Sequence, residues 1–154
     1  MQENSMIRTI LKTATLAAGA VLLALPALSA EIEIKMLNKG SDGQVMVFEP
    51  AAVKAAPGDT IKFVSVDKGH DAASMPGLVP EGVEAIKGKI SQDLSVTVDK
   101  EGAYVFKCTP HLGMGMVALI VVGDAPSNLD AIKAAKMPKK AKERLEAEIT
   151  KLGL

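Results

Sequence analysis

The sequence of 154 residues contains no tryptophan, one tyrosine and three phenylalanines, so that aromatic side chains make up only 3% of it. Hydrophobic residues still make up 48%, which indicates one domain with a core of aliphatic side chains and methionine. Cysteine is equally scarce, because Cys108 is the only one. A single cysteine excludes an internal disulfide, a zinc site with two cysteines and a Cys-x-x-Cys-His haem attachment site.

The chain also lacks an excess of charge of either sign. It has 18 basic and 18 acidic residues, and its formal net charge is zero. Without Glu3, Arg8 and Lys12, which lie in an N-terminal segment that we expect to be removed, 16 basic and 17 acidic residues remain, a net charge of −1. With no arginine-rich run either, the sequence does not indicate bulk binding of nucleic acid.

The N-terminal segment has the three parts of a secretory signal peptide. Arg8 and Lys12 form a positive region, residues 14–25 are an apolar run, and residues 26–30 supply small side chains for cleavage. The alternative is a retained membrane anchor, but the run is shorter than the roughly 20 apolar residues that span a bilayer. We therefore predict that residues 1–29 are a cleaved signal peptide, with Ala30 or the next residue as the mature N-terminus and the periplasm as the destination.

Residues 108–116 read Cys-Thr-Pro-His-Leu-Gly-Met-Gly-Met and form the most informative stretch of the chain. Apolar runs on both sides predict two strands joined by this loop. The loop carries a thiolate, an imidazole and a thioether, and the second histidine of the chain completes the His₂Cys set with a weak axial Met that is typical of blue-copper electron-transfer sites. The predicted copper ligands are His70, Cys108, His111 and Met116.

Each of these residues taken alone has a simpler interpretation. A lone cysteine is usually a small buried hydrophobe, methionines usually fill a core, and a Cys-x₂-His pair could belong to a zinc site. The combination favours copper, because the second cysteine of a Cys₂His₂ zinc set is absent and methionine is a poor zinc ligand. Since the set leaves no open position for a substrate, it also argues against a redox enzyme.

The rest of the chain alternates in the manner of short strands. Ile32, Ile34 and Met36 alternate with charged residues, Leu94, Val96 and Val98 alternate with polar ones, and turn residues separate such runs. Seven or eight strands at this spacing predict a mainly β protein, an antiparallel Greek-key β-sandwich over residues 30–123. The segment 75–90, rich in proline and glycine, is expected to be a long loop with at most one helical turn.

Beyond residue 123 the apolar period becomes helical. Ser127 and Asp130 resemble a capping signal for a first helix, and Pro138 is placed near the first position of a second. We predict two C-terminal α-helices over residues 124–154, which pack on the sandwich through one apolar face each: Leu129, Ile132 and Ala135 in the first, and Leu145, Ile149 and Leu152 in the second.

Four stretches resemble the pseudoazurins, small blue-copper proteins of the cupredoxin family. These are the Gly69-His70 pair, the 108–111 loop that ends in Met116, the Met-Val-Phe-Glu-Pro run at 46–50, and the Pro-Gly-Asp-Thr turn at 57–60. Plastocyanins share the Cys-x₂-His-x₄-Met spacing but end soon after the last strand. The helical extension of this chain is similar to that of pseudoazurins.

The resemblance implies a soluble, monomeric, periplasmic electron carrier with one type 1 copper ion that cycles between Cu(I) and Cu(II). It implies transient redox complexes, with a cytochrome c-type donor and a denitrification enzyme such as copper nitrite reductase as acceptor. It implies neither enzyme activity nor binding to nucleic acid or, after signal cleavage, to membrane. The alternative is a periplasmic copper chaperone or storage protein, which favours exposed, exchangeable Met or Cys motifs.

The resemblance also suggests roles around the metal. Met116 would be the axial ligand and Met114 would lie on the surface beside the edge of His111. The backbone N–H of Asp71 would donate to the sulfur of Cys108, and Asn38 would brace the ligand loop. Pseudoazurins commonly have Asn where Asp71 stands and an aromatic residue where Leu112 stands. A carboxylate near the metal favours Cu(II), so the reduction potential is expected to be somewhat lower.

Two surface features are expected around the exposed edge of His111. The first is an apolar patch for brief docking, formed by Met46, Pro80, Pro110 and Leu112. The second is a ring of lysines that would steer an acidic partner, formed by Lys39, Lys68, Lys87, Lys89, Lys107 and Lys139. The alternative to the ring is an even scatter of lysines over a solvated surface.

Overall fold

The computed structural model describes residues 28–154 of the chain. Nearly all of the predicted signal peptide, residues 1–27, therefore lies outside the described residues. Within the described range no helix has the length and apolar character needed to cross a membrane.

Eight strands and two α-helices make up the described part of the chain. The strands are β1 (Glu31–Lys39), β2 (Val45–Glu49), β3 (Ala52–Ala55), β4 (Asp59–Ser65), β5 (Ala73–Ser74), β6 (Leu94–Val98), β7 (Gly102–Lys107) and β8 (Val117–Val122). The helices are α1 (Leu129–Ala134) and α2 (Lys139–Lys151), and a short 3₁₀ helix (Leu112–Met114) lies between β7 and β8. The predicted class, mainly β with two C-terminal helices, is confirmed. Residues 75–90 form a loop without a helix, as expected apart from the one helical turn that the prediction allowed.

The strands form two four-stranded sheets, in the orders β2-β1-β4-β6 and β3-β8-β7-β5. Four of the neighbouring pairs are antiparallel, but β1 pairs with β4 and β3 pairs with β8 in parallel. The antiparallel arrangement expected from the sequence therefore holds for four of the six pairs and was wrong for the other two. After β2 the chain forms β3 in the second sheet and then returns to the first sheet as β4. Strand β4 lies on the side of β1 opposite β2 and runs parallel to β1. Alternation identifies a strand but does not give its partner.

The central strands of the second sheet face two separate cores. Of the residues in β8, Ala118, Ile120 and Val122 belong to the core between the sheets. Their neighbours Val117, Leu119 and Val121 belong to a second core under the C-terminal helices. Because successive side chains of a strand point to opposite faces, a strand covered on both sides is buried throughout, as β8 is.

The two helices bury one apolar face each against this sheet. Ile132 of α1 and Leu145 and Ile149 of α2 are almost fully buried in the second core. The capping signal at Ser127 was wrong, since the residue before α1 is Asn128 and its side chain makes no capping bond. Asn128 instead hydrogen bonds to both backbone groups of Ala103, at 2.9 and 2.8 Å, which ties the start of α1 to β7.

Candidate metal centre

Strand β7 delivers the cysteine to the interior of the sandwich. Tyr104 and Phe106 point into the core between the sheets, and Cys108, two residues further on, continues the same alternation. Its side chain is fully buried. The backbone N–H of Cys108 donates to the carbonyl of Met116 at 3.0 Å, so the two ends of the loop are joined where β7 meets β8.

Hydrogen bonds inside the loop fix its shape. His111 donates its N–H to the carbonyl of Cys108 at 3.1 Å, and Met116 donates to the carbonyl of His111 at 3.2 Å. Gly115 has φ = 87°, a left-handed conformation that glycine adopts without a steric penalty. The sequence therefore builds a closed loop that carries three of the predicted ligands.

The structure brings His70, Cys108 and His111 together. The sulfur of Cys108 lies 3.6 Å from Nδ1 of His70 and 3.4 Å from Nδ1 of His111, and the two nitrogens are 3.1 Å apart. For a first-row metal with N and S ligands at tetrahedral angles, ligand atoms are expected about 3.3 to 3.6 Å apart, from bond lengths of about 2.0 and 2.3 Å. The cluster thus has the size of a coordination sphere, and its N and S donors suit copper.

The fourth predicted ligand lies in the same buried region. Met116 is fully buried and packs in the same core cluster as Cys108. Met114 is 39% exposed on the 3₁₀ helix. The burial of the two side chains supports the choice of Met116 over Met114.

His70 is held from behind by Asn38. The imidazole is fully buried, and its Nε2 lies 3.0 Å from the side-chain oxygen of Asn38. Because that oxygen only accepts, Nε2 carries the hydrogen and Nδ1 is left free for a metal. Burial, together with repulsion from His111, lowers the pKa of His70, which favours the neutral, ligating form. The expectation for Asn38 is corrected: it holds His70 and not the 108–116 loop.

The loop is braced by Asp71. This buried carboxylate accepts the backbone N–H of Thr109 at 2.6 Å and so links the turn after His70 to the ligand loop. Burial raises the pKa of the Cys108 thiol, while the backbone N–H groups of Asp71 and His111 oppose the shift. The donation from the backbone N–H of Asp71 to the sulfur stays a prediction. Since burial disfavours an unpaired thiolate, binding a cation and losing the proton are coupled.

One of the four residues expected in the apolar patch, Pro80, does not lie near His111. Pro110 and Met114 are exposed and Met46 is half-buried, but Leu112 packs partly against the second core. Pro80 is buried against Gly102, which starts β7 at the end remote from Cys108. It therefore cannot belong to a patch around His111, whose own side chain is half-buried.

Sequence reasoning missed Arg144. This side chain donates to the carbonyls of Val45, Met46 and Gly115, the last of which directly precedes Met116. The sequence offered one indication of its role. The chain has only two arginines, and this one lies in a helix whose other basic residues are all lysines. Its partners are far apart in sequence, however, and no local pattern reveals them.

The comparisons with known proteins agree with this geometry. Residues 34–123 match the family of copper-binding proteins described as the plastocyanin/azurin family. Pseudoazurin from Paracoccus pantotrophus is 55% identical over 139 residues, which cover 89% of this chain and 95% of that protein. The pseudoazurin structure from Methylobacterium extorquens AM1 is 46% identical, with a TM-score of 0.75 over 79% of this chain and 98% of that one. That from Hyphomicrobium denitrificans is 50% identical, with a TM-score of 0.75 over 79% and 97%.

The fold and the cluster define a cupredoxin, a small β-sandwich that holds a type 1 copper ion. The chain belongs to the plastocyanin/azurin family of copper-binding proteins and, within it, to the pseudoazurins. It is a blue-copper electron carrier with one type 1 copper ion and is not an enzyme.

Proposed function

We propose that His70, Cys108 and His111 ligate the copper ion strongly and that Met116 is its weak axial ligand. The observation that carries this assignment is the convergence of the first three ligand atoms within 4.8 Å of one another. Copper supplies a one-electron Cu(I)/Cu(II) couple when bound. The burial of Met116 beside Cys108 supports its role as the fourth ligand.

The protein contributes rigidity to electron transfer. The Nδ1 atoms and the sulfur are close together, and hydrogen bonds accepted by Asn38 and Asp71 hold the two histidine-bearing segments from outside the cluster. Electron transfer is fast when ligand positions change little between the two oxidation states, and fixed ligands provide that condition. His70 and Cys108 are inaccessible to solvent, which supports an electron carrier over a chaperone that must exchange its metal.

We infer that electrons leave through His111, the one member of the histidine and cysteine cluster that is only half-buried. Exposed Pro110 and Met114 lie within three residues of it in the chain and give the surroundings an apolar character. A small apolar contact of this kind suits partners that must separate after each transfer. We infer that redox partners dock over this edge.

The cellular setting is proposed to be the periplasm, reached by cleavage of residues 1–29. The donor is proposed to be a cytochrome c-type protein and the acceptor a denitrification enzyme such as copper nitrite reductase. The six lysines of the proposed ring are exposed, except that Lys107 is half-buried, and we propose that they steer an acidic partner. The mature protein is proposed to act as a monomer that forms transient complexes.

The function is tested by titrating the purified mature protein with Cu(II). A strong blue absorption should appear and saturate at one ion per chain, and the reduced protein should pass its electron to copper nitrite reductase in a stopped-flow experiment. Cys108→Ser is the matched control, because a thiolate is the only ligand here that gives intense charge-transfer colour. A colourless wild-type complex, or rapid loss of copper to a chelator, would support the chaperone alternative instead.

A further inference from the structure

Arg144 joins three parts of the molecule that are distant in sequence. Its Nη1 donates to the carbonyls of Met46 at 2.8 Å and Gly115 at 3.0 Å, and its Nη2 donates to the carbonyl of Val45 at 3.1 Å. Nε is buried and, among the described residues, has no hydrogen-bond partner. The guanidinium group of Arg144 therefore joins helix α2 to the ligand loop and to the start of strand β2.

The helix also contacts the loop by close packing at Gly115. A Cβ atom placed on Gly115 would lie 2.9 Å from Cδ of Arg144, and 3.0 and 3.1 Å from Cγ and the carbonyl oxygen of Lys140. These distances leave no room for a side chain, so the loop backbone rests directly on α2. The hydrogen bond from Arg144 to Gly115 is thus part of a wider contact between the helix and the residue that precedes Met116.

On its other side Arg144 holds an unusual backbone conformation. Met46 has φ = 52°, in the left-handed region that non-glycine residues rarely adopt. Such conformations persist where surrounding contacts hold them. Arg144 supplies contacts of this kind, because it donates hydrogen bonds to the carbonyls of both Val45 and Met46. Strand β2 and the ligand loop are therefore held at a fixed separation by one planar group.

We propose that Arg144 is a positioning residue that sets the placement of Met116 relative to the other copper ligands. The proposal rests on the ligand set given under the proposed function. An axial thioether contact is long and weak, so the bond itself does little to fix the position of the sulfur. The protein must fix it, and the carbonyl next to Met116 is anchored to helix α2 by Arg144. The C-terminal helices thereby act on the metal site, and not only on the core.

Arginine suits this role better than lysine. Its guanidinium is planar and presents five N–H donors in a fixed arrangement, whereas an ammonium group is a compact charge on a flexible stem. Arg144→Lys keeps the charge and most of the stem but cannot bond three carbonyls in the same geometry. It should show a smaller change of the same kind as Arg144→Met.

The test compares Arg144→Met and Arg144→Lys with Lys151→Met, a matched loss of charge at an exposed position of the same helix. The first readout is the visible and electron paramagnetic resonance spectrum of the Cu(II) protein. Both Arg144 variants should alter the charge-transfer band ratio and the copper hyperfine splitting, and Lys151→Met should leave them as in wild type.

The second readout needs no metal. Amide hydrogen exchange in the apoprotein should become about tenfold faster or more at Met116 and Val117 in Arg144→Met, because a charge-assisted hydrogen bond next to them is lost. Exchange in strand β6, which pairs with β4 in the other sheet, should be unchanged. A purely structural role would instead lower the melting temperature with wild-type spectra and with exchange raised evenly.

Met116→Gln separates failure of this proposal from failure of the ligand assignment. A wild-type spectrum for Met116→Gln would mean that Met116 is not the axial ligand. If Met116→Gln changes the spectrum but both Arg144 variants keep wild-type spectra and loop exchange, the positioning role is overturned. If Arg144→Met does not fold, Arg144→Lys decides alone: wild-type values for both of its readouts overturn the proposal.

Discussion

The carboxylate of Asp71 accepts the backbone N–H of Thr109 at 2.6 Å, and both residues are neighbours of proposed copper ligands. His70 and Cys108 come from segments far apart in the chain, and this bond fixes the distance between them. The carboxylate is buried, so its charge acts on the site with little screening by solvent. Its two effects, bracing and charge, can be separated by substitution.

Asp71→Asn should raise the reduction potential. The amide oxygen can still accept from Thr109, but the negative charge that favours Cu(II) is gone. Asp71→Ala should in addition lower the free energy of unfolding by about 1 to 3 kcal/mol, because the N–H of Thr109 loses its charged partner. Voltammetry and thermal unfolding check the two effects. An unchanged potential in Asp71→Asn would show that the charge does not reach the metal.

Met116→Gln should retain copper yet change the visible spectrum and lower the potential, since an oxygen donor favours Cu(II) over Cu(I). The matched control is Met114→Gln, at a side chain that is 39% exposed, and its spectrum should equal that of wild type. Both are measured by absorption spectroscopy and voltammetry of the copper-loaded proteins. The reverse pattern would identify Met114 as the axial ligand.

Asp59 should make the stability of the protein depend on pH at acid values. Its carboxylate accepts the N–H of Ala56 at 2.8 Å and that of Ala30 at 2.7 Å, and these bonds hold the pKa of Asp59 below its ordinary 3.8. A lowered pKa gives stability that is present above the ordinary value and is lost as the pH falls through the lowered one. If the mature chain starts at Ala30, its ammonium group strengthens the contact.

We therefore expect Asp59→Asn to lower the melting temperature of the mature protein at pH 7, and the difference from wild type to shrink as the pH falls below 3.8. Asp124→Asn, at an exposed carboxylate, is the control and should have little effect over the same range. Removing Ala30 should reproduce part of the loss at pH 7. A difference that does not vary with pH would mean that Asp59 stabilises the turn by shape alone.

Electron transfer to copper nitrite reductase should slow as ionic strength rises, because exposed charges act mainly on association and are screened over about 8 Å at physiological salt. The double variant Lys68→Glu, Lys107→Glu changes charges beside His70 and Cys108 and should slow the bimolecular step at low salt.

The control for that experiment is Lys54→Glu, Lys100→Glu, which makes the same change in net charge at the far end of the sandwich. Lys54 pairs with Val121 near the end of β8, and Lys100 precedes the start of β7. Equal slowing by the two double variants would indicate an effect of net charge. Rates that do not vary with salt would leave only the apolar surface around His111 to explain recognition.

The predicted metal site depended on local sequence, which is why it could be proposed before the structure. Cys108, His111 and Met116 fall on one short loop between two apolar runs, so their proximity follows from chain connectivity. His70 followed by elimination, as the only other histidine. Period-2 alternation likewise identified most strands and, through β7, the buried side of Cys108, because a strand exposes its two faces in turn.

Partners across the fold were beyond the reach of that reasoning. The directions of β4 and β3 depend on which sheet the chain re-enters, and the position of Pro80 depends on which end of β7 its loop reaches. The residues next to each of these segments in the sequence do not determine such long-range arrangements. The strand directions and the position of Pro80 were therefore predicted wrongly.

The same limit explains the supports of the metal site. Asn38 is separated from His70 by 32 residues, Asp71 from Thr109 by 38, and Arg144 from Met46 by 98. The sequence by itself determined the donor atoms, since their chemistry is a property of single residues. Only the tertiary structure decided what holds them in place, because that depends on hydrogen bonds between segments that meet after the two sheets and α2 have packed together.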